Sequence, residues 1–383
     1  MLQTKKTILL FIDWYIPGYK AGGPIQSCAN LVSHLNEDYY FKIITRNTDY
    51  CETKPYQNIK SNEWNIINQN VQIYYFGNEQ LSKKNIYNLI HQTNFDIIYL
   101  NGVFSYFFTI VPLLYLRKYK GHNAIVAARG MFASGALAIK RQKKQLFLSF
   151  SKLMGLFNNV VFHATNESEK KDIIKVMGSN YEIKIAGNLP KKIAIEGFVP
   201  KSKKSGSIQL INVARIAPEK NLKYALEILK DVKANVQFDY FGPIYDERYH
   251  NECKAVIEVL PKNIAVNYKG VIPNLEVNET LKNYDAMLMP TLGENFGHII
   301  LESLIASRPV IISDQTPWQN LEVDQSGWCI PLNEFSKYVQ AIELLAQCNE
   351  EQFNIFSLAA YQKAKSFIEN KDLITSNRAL FDF

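Results

Sequence analysis

The chain has 383 residues, of which 47% are hydrophobic and 21% are charged. This composition is ordinary for a globular protein and excludes a disordered, collagenous or coiled-coil chain, and the length predicts two or three domains. The net charge of +7 is uneven, because residues 1–190 carry +10 and residues 191–383 carry −3. Between Asp96 and Glu167 there are nine Lys/Arg and no acidic residue, which predicts a positive surface on the first domain.

Cysteines, histidines and long apolar segments give little sign of special structure. The five cysteines and six histidines are scattered, without a C-x-x-C or H-x-x-x-H spacing. This pattern disfavours a disulfide framework and a zinc site, and it is typical of a reducing compartment. The apolar stretch Gly102–Leu116 is shorter than the roughly 18 residues of a membrane span, and the run 7–12 is too short for a signal peptide. We expect a cytoplasmic protein.

Short runs typical of strands alternate with helical patterns along the chain. In the first half the predicted elements are strands 7–12, 41–45, 71–76, 96–100, 124–128 and 159–164, with helices that include 24–36 and 105–119. In the second half they are strands 208–213, 236–241, 264–269, 285–289, 309–313 and 328–331, with helices 219–231, 247–259, 275–283, 297–306, 334–347 and 351–366. This alternation predicts an α/β fold with two doubly wound parallel sheets. The polar segment 191–206 is the predicted linker.

The first candidate for a site is the loop after the first predicted strand. Gly22 and Gly23 directly precede a helix that is predicted to begin at Pro24. Paired glycines let a ligand approach the backbone closely, although a flexible loop explains them equally well. Neither the G-x-G-x-x-G dinucleotide fingerprint nor a Walker A lysine is present.

The second candidate lies where a predicted strand ends at Arg215 and a helix begins after Pro218. Arg215 and Lys220 therefore flank a turn at the carboxyl edge of a sheet, where open α/β sheets bind ligands. A guanidinium beside an ammonium group suits a diphosphate. The alternative is an ordinary pair of surface cations.

The third candidate is the glycine-containing loop that follows Pro290 and leads into a helix. Amides at the helix start, at Phe296, Gly297 and His298, can bind an anion or sugar hydroxyls. Glu294 and Glu302 stand eight residues apart, about 12 Å along a helix, which suits a sugar at one carboxylate and a ribose at the other. The alternative is a capping acid at Glu294 and a solvated helix residue at Glu302.

Taken together and in this order, these motifs resemble glycosyltransferase family 4, the retaining nucleotide-sugar enzymes with the GT-B fold. The resemblance rests on the Gly22-Gly23 loop, the Arg215 and Lys220 pair, and the E-x7-E spacing of Glu294 and Glu302. The segments 129–144, 162–173 and 312–318 are also similar to a bacterial polysaccharide-synthesis branch of that family.

The resemblance implies two facing Rossmann-like domains. The implied parts are an acceptor-binding domain at 1–190, a nucleotide-sugar-binding domain at 207–366 and a terminal helix at 367–383 that crosses back to the first domain. In the donor site, the resemblance implies that Arg215 and Lys220 bind the leaving diphosphate and that Glu302 binds the ribose. The donor sugar would be bound by Glu294 with Asn295, Phe296, Gly297 and His298. Val271 and Ile272 would bind the base, and Gly22 and Gly23 would bind the diphosphate across the cleft.

The chain departs from the family pattern at two places. Arg129 stands where many members have a histidine near the donor sugar. The segment Ser307-Arg308-Pro309 stands where the family usually has glycine before proline, which predicts an altered helix C-cap.

The activity that the resemblance implies is transfer of a hexose from a UDP- or GDP-linked sugar with retained configuration. The expected acceptor is a glycan or an undecaprenyl-diphosphate-linked glycan in lipopolysaccharide or capsule synthesis. No metal or cofactor is expected, because Arg215, Lys220 and the helix-start amides would stabilise the departing diphosphate. The alternatives are a nucleotide-sugar 2-epimerase of the same fold and a non-catalytic membrane-surface scaffold. Nucleic-acid binding is disfavoured, because no reader motif is present.

The first half of the chain also contains a segment that is both basic and apolar. The side chains Leu146, Phe150, Leu153 and Phe157 are spaced to form one helical stripe. This stripe faces either the protein core or a lipid surface. The cations Arg129, Lys140, Arg141, Lys143 and Lys144 form the predicted acceptor or membrane face. The last four of them would bind anionic lipid at the inner face of the cell membrane.

Overall fold

The structure, a computed structural model, describes residues 5–119, 121–138, 140–192, 197–273 and 276–383. Residues 193–196 of the predicted linker 191–206 and residue 275 of the predicted helix 275–283 lie outside the described residues. The described chain divides into two compact units. The first contains the residues up to Lys192 together with Lys371–Phe383, and the second contains the residues between them, up to Asn370.

The first unit is an eight-stranded sheet with helices. Its elements are β1 (Thr7–Phe11), α1 (Gly23–Leu35), β2 (Tyr40–Arg46), β3 (Trp64–Asn68), β4 (Val71–Phe76), α2 (Lys83–Gln92), β5 (Ile97–Asn101), a π-helix (Tyr106–Ile110), α3 (Val111–Lys118), β6 (Asn123–Ala127), α4 (Ser134–Ala138), α5 (Arg141–Leu153), β7 (Val160–Ala164), α6 (Glu167–Met177) and β8 (Glu182–Ile185). The strand order is β3-β4-β2-β1-β5-β6-β7-β8, and only β3 among these described strands runs antiparallel to its neighbour.

The second unit is a six-stranded parallel sheet with helices. Its elements are β9 (Ser207–Val213), a 3-10 turn (Pro218–Lys220), α7 (Leu222–Leu229), β10 (Asn235–Phe241), α8 (Glu247–Ile257), β11 (Ile264–Tyr268), α9 (Val277–Lys282), β12 (Ala286–Met289), α10 (His298–Ile305), β13 (Val310–Ser313), β14 (Gly327–Ile330), α11 (Phe335–Gln347) and α12 (Glu350–Ile368). The strand order is β11-β10-β9-β12-β13-β14.

In both sheets the chain order reverses beside the first strand. β1 lies between β2 and β5, and β9 lies between β10 and β12. Such a reversal is the topological switch point at which open α/β sheets bind their ligands, just outside the carboxyl ends of the strands. The central strands β5, β12 and β13 are buried along their whole length, as expected for a sheet covered on both faces.

The predicted α/β fold class is confirmed, and each predicted strand is present with bounds that shift by no more than one residue. Two edge strands, β3 and β8, were not predicted. The edge strand β3 adds an antiparallel neighbour to an otherwise parallel first sheet.

Two of the predicted helices are each divided into two elements in the structure. Instead of one helix at 105–119, the chain forms a π-helix followed by α3. Instead of one helix at 219–231, it forms a 3-10 turn and then α7, because Asn221 between them has a left-handed backbone with φ of 57°. A left-handed residue cannot continue a right-handed helix.

The Ser307-Arg308-Pro309 segment ends α10 in a left-handed residue. Ser307 has φ of 62°, the conformation that glycine usually takes after a helix. The amides of Ser307 and Arg308 donate to the carbonyls of Leu304 and Ser303, at 3.0 and 2.9 Å. Serine therefore replaces glycine here while the helix end keeps its hydrogen bonds.

The segment after α12 returns to the first unit. It forms α13 (Lys371–Ala379) and then places Phe381, which is 0% exposed, in the core beside Tyr39, Phe41 and Tyr99. The amino group of Lys6 donates to the Phe381 carbonyl at 3.0 Å. The hydrophobic core of the first unit is therefore completed by residues at the far end of the sequence.

Among the described residues, no helix combines the length and the apolar character that crossing a bilayer requires.

We expect Phe381→Ala to lower the free energy of unfolding of the first unit by about 3–5 kcal/mol, because it leaves a cavity among buried aromatic rings. Urea denaturation followed by tryptophan fluorescence measures the change. Phe383→Ala is the matched control, since that ring is 49% exposed, and we expect a change within about 0.5 kcal/mol. Equal effects of the two substitutions would contradict the packing described for Phe381.

Candidate functional site

Two loops leave the second sheet on either side of its switch point and are joined to each other. One follows β9 and contains Arg215–Asn221, and the other follows β12 and contains Pro290–Gly297. The Glu219 carbonyl accepts hydrogen bonds from the Thr291 hydroxyl and the Leu292 amide, both at 3.0 Å. These bonds hold the two predicted motifs at one place on the carboxyl edge.

A third segment, which follows β13, supports the second loop. The Glu294 amide donates to the Gln315 carbonyl at 2.9 Å. The indole nitrogen of Trp318 donates to the Phe296 carbonyl at 2.6 Å. The backbone of the 290–297 loop is thus fixed from two sides.

Two cation–carboxylate pairs lie on these loops. The Lys220 amino group contacts the Glu294 carboxylate, and both side chains are about 15% exposed. The Arg215 guanidinium lies 3.3 Å from the Glu219 carboxylate, and this pair is more exposed, at 35% and 39%. The structure therefore brings Lys220 and Glu294 into direct contact and gives Arg215 an acidic partner that was not predicted.

Gly297 determines where α10 begins. It has a left-handed backbone with φ of 76°, and a Cβ atom added there would lie 2.6 Å from the Ile300 side chain. Because the helix starts at His298, Glu294 lies in the loop and Glu302 is four residues into the helix. Only the second half of the predicted eight-residue spacing is therefore helical, and about 6 Å of helical rise separates the helix start from Glu302.

One predicted sugar-binding residue, Phe296, and one predicted base-binding residue, Ile272, belong to the same apolar cluster. The Phe296 ring packs against the rings of His298 and Trp318, with centroids 4.7 and 5.6 Å away. Ile272 packs against the same cluster, whereas Val271 is 44% exposed. Both residues follow β11, two strands away from β9 on the same carboxyl edge.

In the first unit, the double-glycine loop has a defined shape. Gly22 caps α1 with a left-handed φ of 73°, and the position of a Cβ there has no atom within 4 Å. Glycine is therefore required at position 22 because of the backbone conformation, and not because a side chain would clash with a neighbour. The Asp49 carboxylate holds the preceding loop by accepting from the amides of Tyr19 and Lys20, at 2.9 and 3.2 Å.

Arg129 is turned inward. Its guanidinium donates to Asn101 at 2.7 Å, to Asn188 at 2.6 Å and to the Tyr99 hydroxyl at 2.9 Å. The same hydroxyl contacts His163, and burial together with the charge of Arg129 lowers the pKa of His163 to about 3. The part of the prediction that places Arg129 on an exposed membrane face is wrong, because its guanidinium is bonded within this network. Its assignment to an acceptor face stays a prediction.

The four cations near α5 do not all face outward. Lys140, Arg141 and Lys143 are exposed. Lys144 instead donates to the Ala136 carbonyl at 2.6 Å, and its amino group lies 5.3 Å from the Phe104 ring centroid. Desolvation lowers the pKa of Lys144. Its assignment to the exposed face is therefore wrong.

The apolar stripe of α5 is exposed. Leu146, Phe150 and Leu153 are 74%, 60% and 84% exposed, and Met154 after the helix is 45% exposed. Phe157, the last predicted member, is buried because the helix ends at Leu153. The interpretation as a core-facing stripe is wrong for the three helical residues, since the buried face carries Leu148 and Ser151.

No group of three or more His, Cys, Asp or Glu side chains that could hold a metal ion occurs within the described ranges.

Residues 196–363 match the family model described as Glycosyl transferases group 1. Residues 196–363 of this chain are thus similar to glycosyltransferase group 1 domains. The matched segment includes both loops of the switch point and all of the second-unit residues that were predicted to bind the donor.

Two relatives match this chain over part of their length. A protein of Escherichia coli K12 that bears the name colanic acid biosynthesis glycosyltransferase WcaL is 25% identical over 157 residues, 38% of this chain and 37% of that protein. Its Salmonella typhimurium counterpart is 26% identical over 173 residues, 40% and 41% of the two chains. The match thus spans about two fifths of these relatives.

Solved structures match over nearly the whole chain. Sucrose-phosphate synthase from Thermosynechococcus elongatus has a TM-score of 0.74 at 13% identity, with 98% of both chains covered. Anabaena HepE in complex with UDP and glucose has a TM-score of 0.69 at 13% identity and the same coverage. At these identities the likeness concerns the fold, and it confirms the GT-B fold class.

Sequence reasoning missed the residues that hold the glycosyltransferase loops in place. Glu219, Gln315 and Trp318 each bond to the 290–297 loop or pair with Arg215. Gln315 and Trp318 lie in the 312–318 segment, whose family-like sequence was the available signal. Glu219 stands four residues after Arg215 on the same short loop, and this proximity in sequence was the available signal.

We expect Gly297→Ala to lower the free energy of unfolding by about 1–2 kcal/mol or more, because the new methyl group meets Ile300 and the left-handed backbone disfavours alanine. Urea denaturation measures the change. The matched control in the same loop is Gly293→Ala, where a Cβ has no atom within 4 Å. If the control is as destabilised as Gly297→Ala, the role given to Gly297 is wrong.

Proposed function

We propose that this chain transfers a hexose from a nucleotide diphosphate sugar to a glycan or lipid-linked acceptor in bacterial surface-polysaccharide synthesis, with retained configuration. The observation that carries the proposal is the contact between Lys220 and Glu294 at the switch point of the glycosyltransferase domain. The UDP and glucose bound to Anabaena HepE, and the polysaccharide synthesis named for the two WcaL relatives, agree with it.

The contact fits the covalent structure of such a donor. A diphosphate and its sugar are joined by a single bond, so a cation for the first and a carboxylate for the second must lie side by side. Lys220 and Glu294 meet this requirement. When the diphosphate binds, it takes over the cation and leaves the Glu294 carboxylate to accept hydrogen bonds from sugar hydroxyls.

The same arrangement lowers the barrier to transfer. The bond between sugar and diphosphate breaks through an oxocarbenium-like state, and negative charge grows on the departing diphosphate. Lys220 and Arg215 are already positioned by Glu294 and Glu219, so they stabilise that charge most as it develops. The leaving phosphate accepts the proton of the acceptor hydroxyl. We propose that these cations replace a metal, so that no metal or cofactor takes part.

The remaining donor contacts follow from the predicted roles. Glu302 on the first turns of α10 binds the ribose, the segment 295–298 binds the sugar, and Val271 and Ile272 bind the base. Arg129 serves this chemistry only through the network that it organises.

We expect Lys220→Ala and Arg215→Ala each to reduce turnover by a factor of about 100–1,000, since each removes one charged donor from the departing diphosphate. The donor is first selected from UDP- and GDP-sugars by thermal shift, because a ligand at a hundred times its Kd stabilises by about 2.7 kcal/mol. Turnover is then measured as nucleotide released.

The matched control is Lys223→Ala, a cation on the next turn that pairs with Glu252 outside the site. Near-parental turnover in both site variants would refute the assignment. Loss of activity in EDTA that magnesium or manganese restores would refute the metal-independent mechanism. Donor consumption without any dependence on an acceptor would favour the 2-epimerase.

We also propose that the chain acts at the inner face of the cell membrane and binds anionic lipid through the α5 face, defined as Lys140, Arg141, Lys143, Leu146, Phe150 and Leu153. An exposed apolar stripe beside exposed cations is the arrangement of interfacial helices. The surrounding segment from residue 97 to 166 contains no acidic residue that would oppose the attraction. Each cation contributes about 1 kcal/mol near such a surface.

We expect the parent protein to co-sediment with vesicles that contain phosphatidylglycerol and not with phosphatidylcholine vesicles. High salt should release it from the anionic vesicles. Replacing Lys140, Arg141 and Lys143 by serine should weaken binding on the order of 100-fold, since about 3 kcal/mol is lost. The control replaces Lys170, Lys171 and Lys175 on α6 by serine, which removes the same charge. Equal loss in the two triple variants would show that total charge, and not the α5 face, governs binding.

A further inference from the structure

A second polar cluster lies at the switch point of the first sheet. Asp13 follows β1, Arg46 is the last residue of β2 and Ser105 follows β5. β1 lies between the other two strands, so these residues meet at the carboxyl edge where the chain order reverses. This is the equivalent, in the first unit, of the position that Lys220 and Glu294 occupy in the second.

Asp13 is held through both its backbone and its side chain. The Thr45 hydroxyl and the Arg46 amide donate to the Asp13 carbonyl, both at 3.2 Å. The Ser105 hydroxyl donates to the Asp13 Oδ1 atom at 2.9 Å. Burial raises the pKa of Asp13, while the Ser105 hydrogen bond and the Arg46 charge act in the opposite direction. The carboxylate is therefore sheltered and fixed, yet it remains 22% exposed.

Arg46 lies beside this carboxylate without bonding to it well. Its Nε atom is 3.9 Å from Asp13 Oδ1, beyond hydrogen-bond distance. That atom is buried, and no described residue accepts a hydrogen bond from it. Buried donors in native proteins almost always have an acceptor, so an unmet one calls for an explanation.

Aromatic rings surround the guanidinium. It lies 5.3 Å from the Phe108 ring centroid and 5.9 Å from that of Trp14, which is only half-buried. Ser105 begins the π-helix that carries Phe108, and π-helices occur frequently at functional sites. A fixed carboxylate, a guanidinium with one unmet donor and a partly open indole ring are thus grouped at one place.

We propose that Asp13 and Arg46 form a subsite for a neutral pyranose ring, with Asp13 accepting from sugar hydroxyls and Arg46 donating to sugar oxygens. The opposite charges of the pair cancel, so the site does not select an anion such as the phosphate of a lipid carrier. Hydroxyls are both donors and acceptors, and they satisfy the carboxylate and the guanidinium together. The identity of this sugar as the acceptor rests on the proposed function.

The test uses methyl glycosides of glucose, galactose and mannose, with the methyl glycoside of glucuronic acid as the anionic comparison. Saturation-transfer NMR on the full chain measures binding. We expect at least one neutral glycoside to bind the parent, Asp13→Asn to weaken it tenfold or more, and Arg46→Lys to weaken it less because the charge is kept. Ser105→Ala should fall between the parent and Asp13→Asn, since only the hydrogen bond that orients the carboxylate is lost.

The matched control is Asp38→Asn, which breaks the 2.8 Å pair with Arg378 near the amino end of β2 in the same unit. It should bind the glycosides like the parent. Thermal unfolding of each variant confirms folding, and Ser105→Ala keeps the proposal testable if Asp13→Asn does not fold. Neutral glycosides that fail to bind the parent, or that bind it and Asp13→Asn equally, would overturn the proposal. Preferred binding of the glucuronide would also overturn it, because the site would then be an anion site.

This experiment contains no nucleotide sugar. Its failure is therefore separate from failure of the transferase proposal, which is decided by nucleotide release in the Lys220 and Arg215 variants. Sugar binding that persists in a chain without transferase activity would leave the subsite in place and remove only its assignment to an acceptor.

Discussion

The ion pair between Lys220 and Glu294 joins the two loops that leave the second sheet on either side of its switch point. Nothing in either loop alone would place these groups together, because they are 74 residues apart in sequence. The parallel order of β9 and β12 supplies the proximity, and the bonds from Glu219, Gln315 and Trp318 fix the loops that carry the pair. The chemistry proposed for the domain depends on this contact, since it fixes the distance between a leaving group and a sugar before either is bound.

The sequence predicted the strands well because the buried strands of a covered sheet are continuous apolar runs, as in β5 and β12. It missed β3, whose side chains Ile66 and Ile67 are exposed at the sheet edge and give no buried pattern. It also placed the Arg215, Lys220 and Glu294 motifs at the correct ends of the correct strands. The contacts of individual side chains could not be predicted from the sequence. Whether Lys144 faces solvent or Ala136, and whether Arg215 pairs with Glu219, depends on side-chain packing that motif spacing does not encode.

The two units deal with charge in different ways. The second pairs Arg215 and Lys220 with the carboxylates of Glu219 and Glu294. In the first, Arg129 is satisfied by neutral amide and hydroxyl groups and keeps its full charge, which helps to hold His163 neutral. A charged residue in that position therefore supports the framework and not the surface, which explains why it is separate from the exposed cations of the α5 face.

The return of α13 and Phe381 to the first unit affects the order in which the protein can form. Every strand of the first sheet is synthesised before the second unit begins, yet its core lacks the Phe381 ring until the whole second unit has been made. Domains generally fold as units during synthesis. The second unit is continuous in sequence and can close as soon as it emerges, whereas the first waits for residues that come last. The first unit, which is synthesised first, is thus completed last. Until then, the apolar side chains that surround Phe381 remain open to solvent.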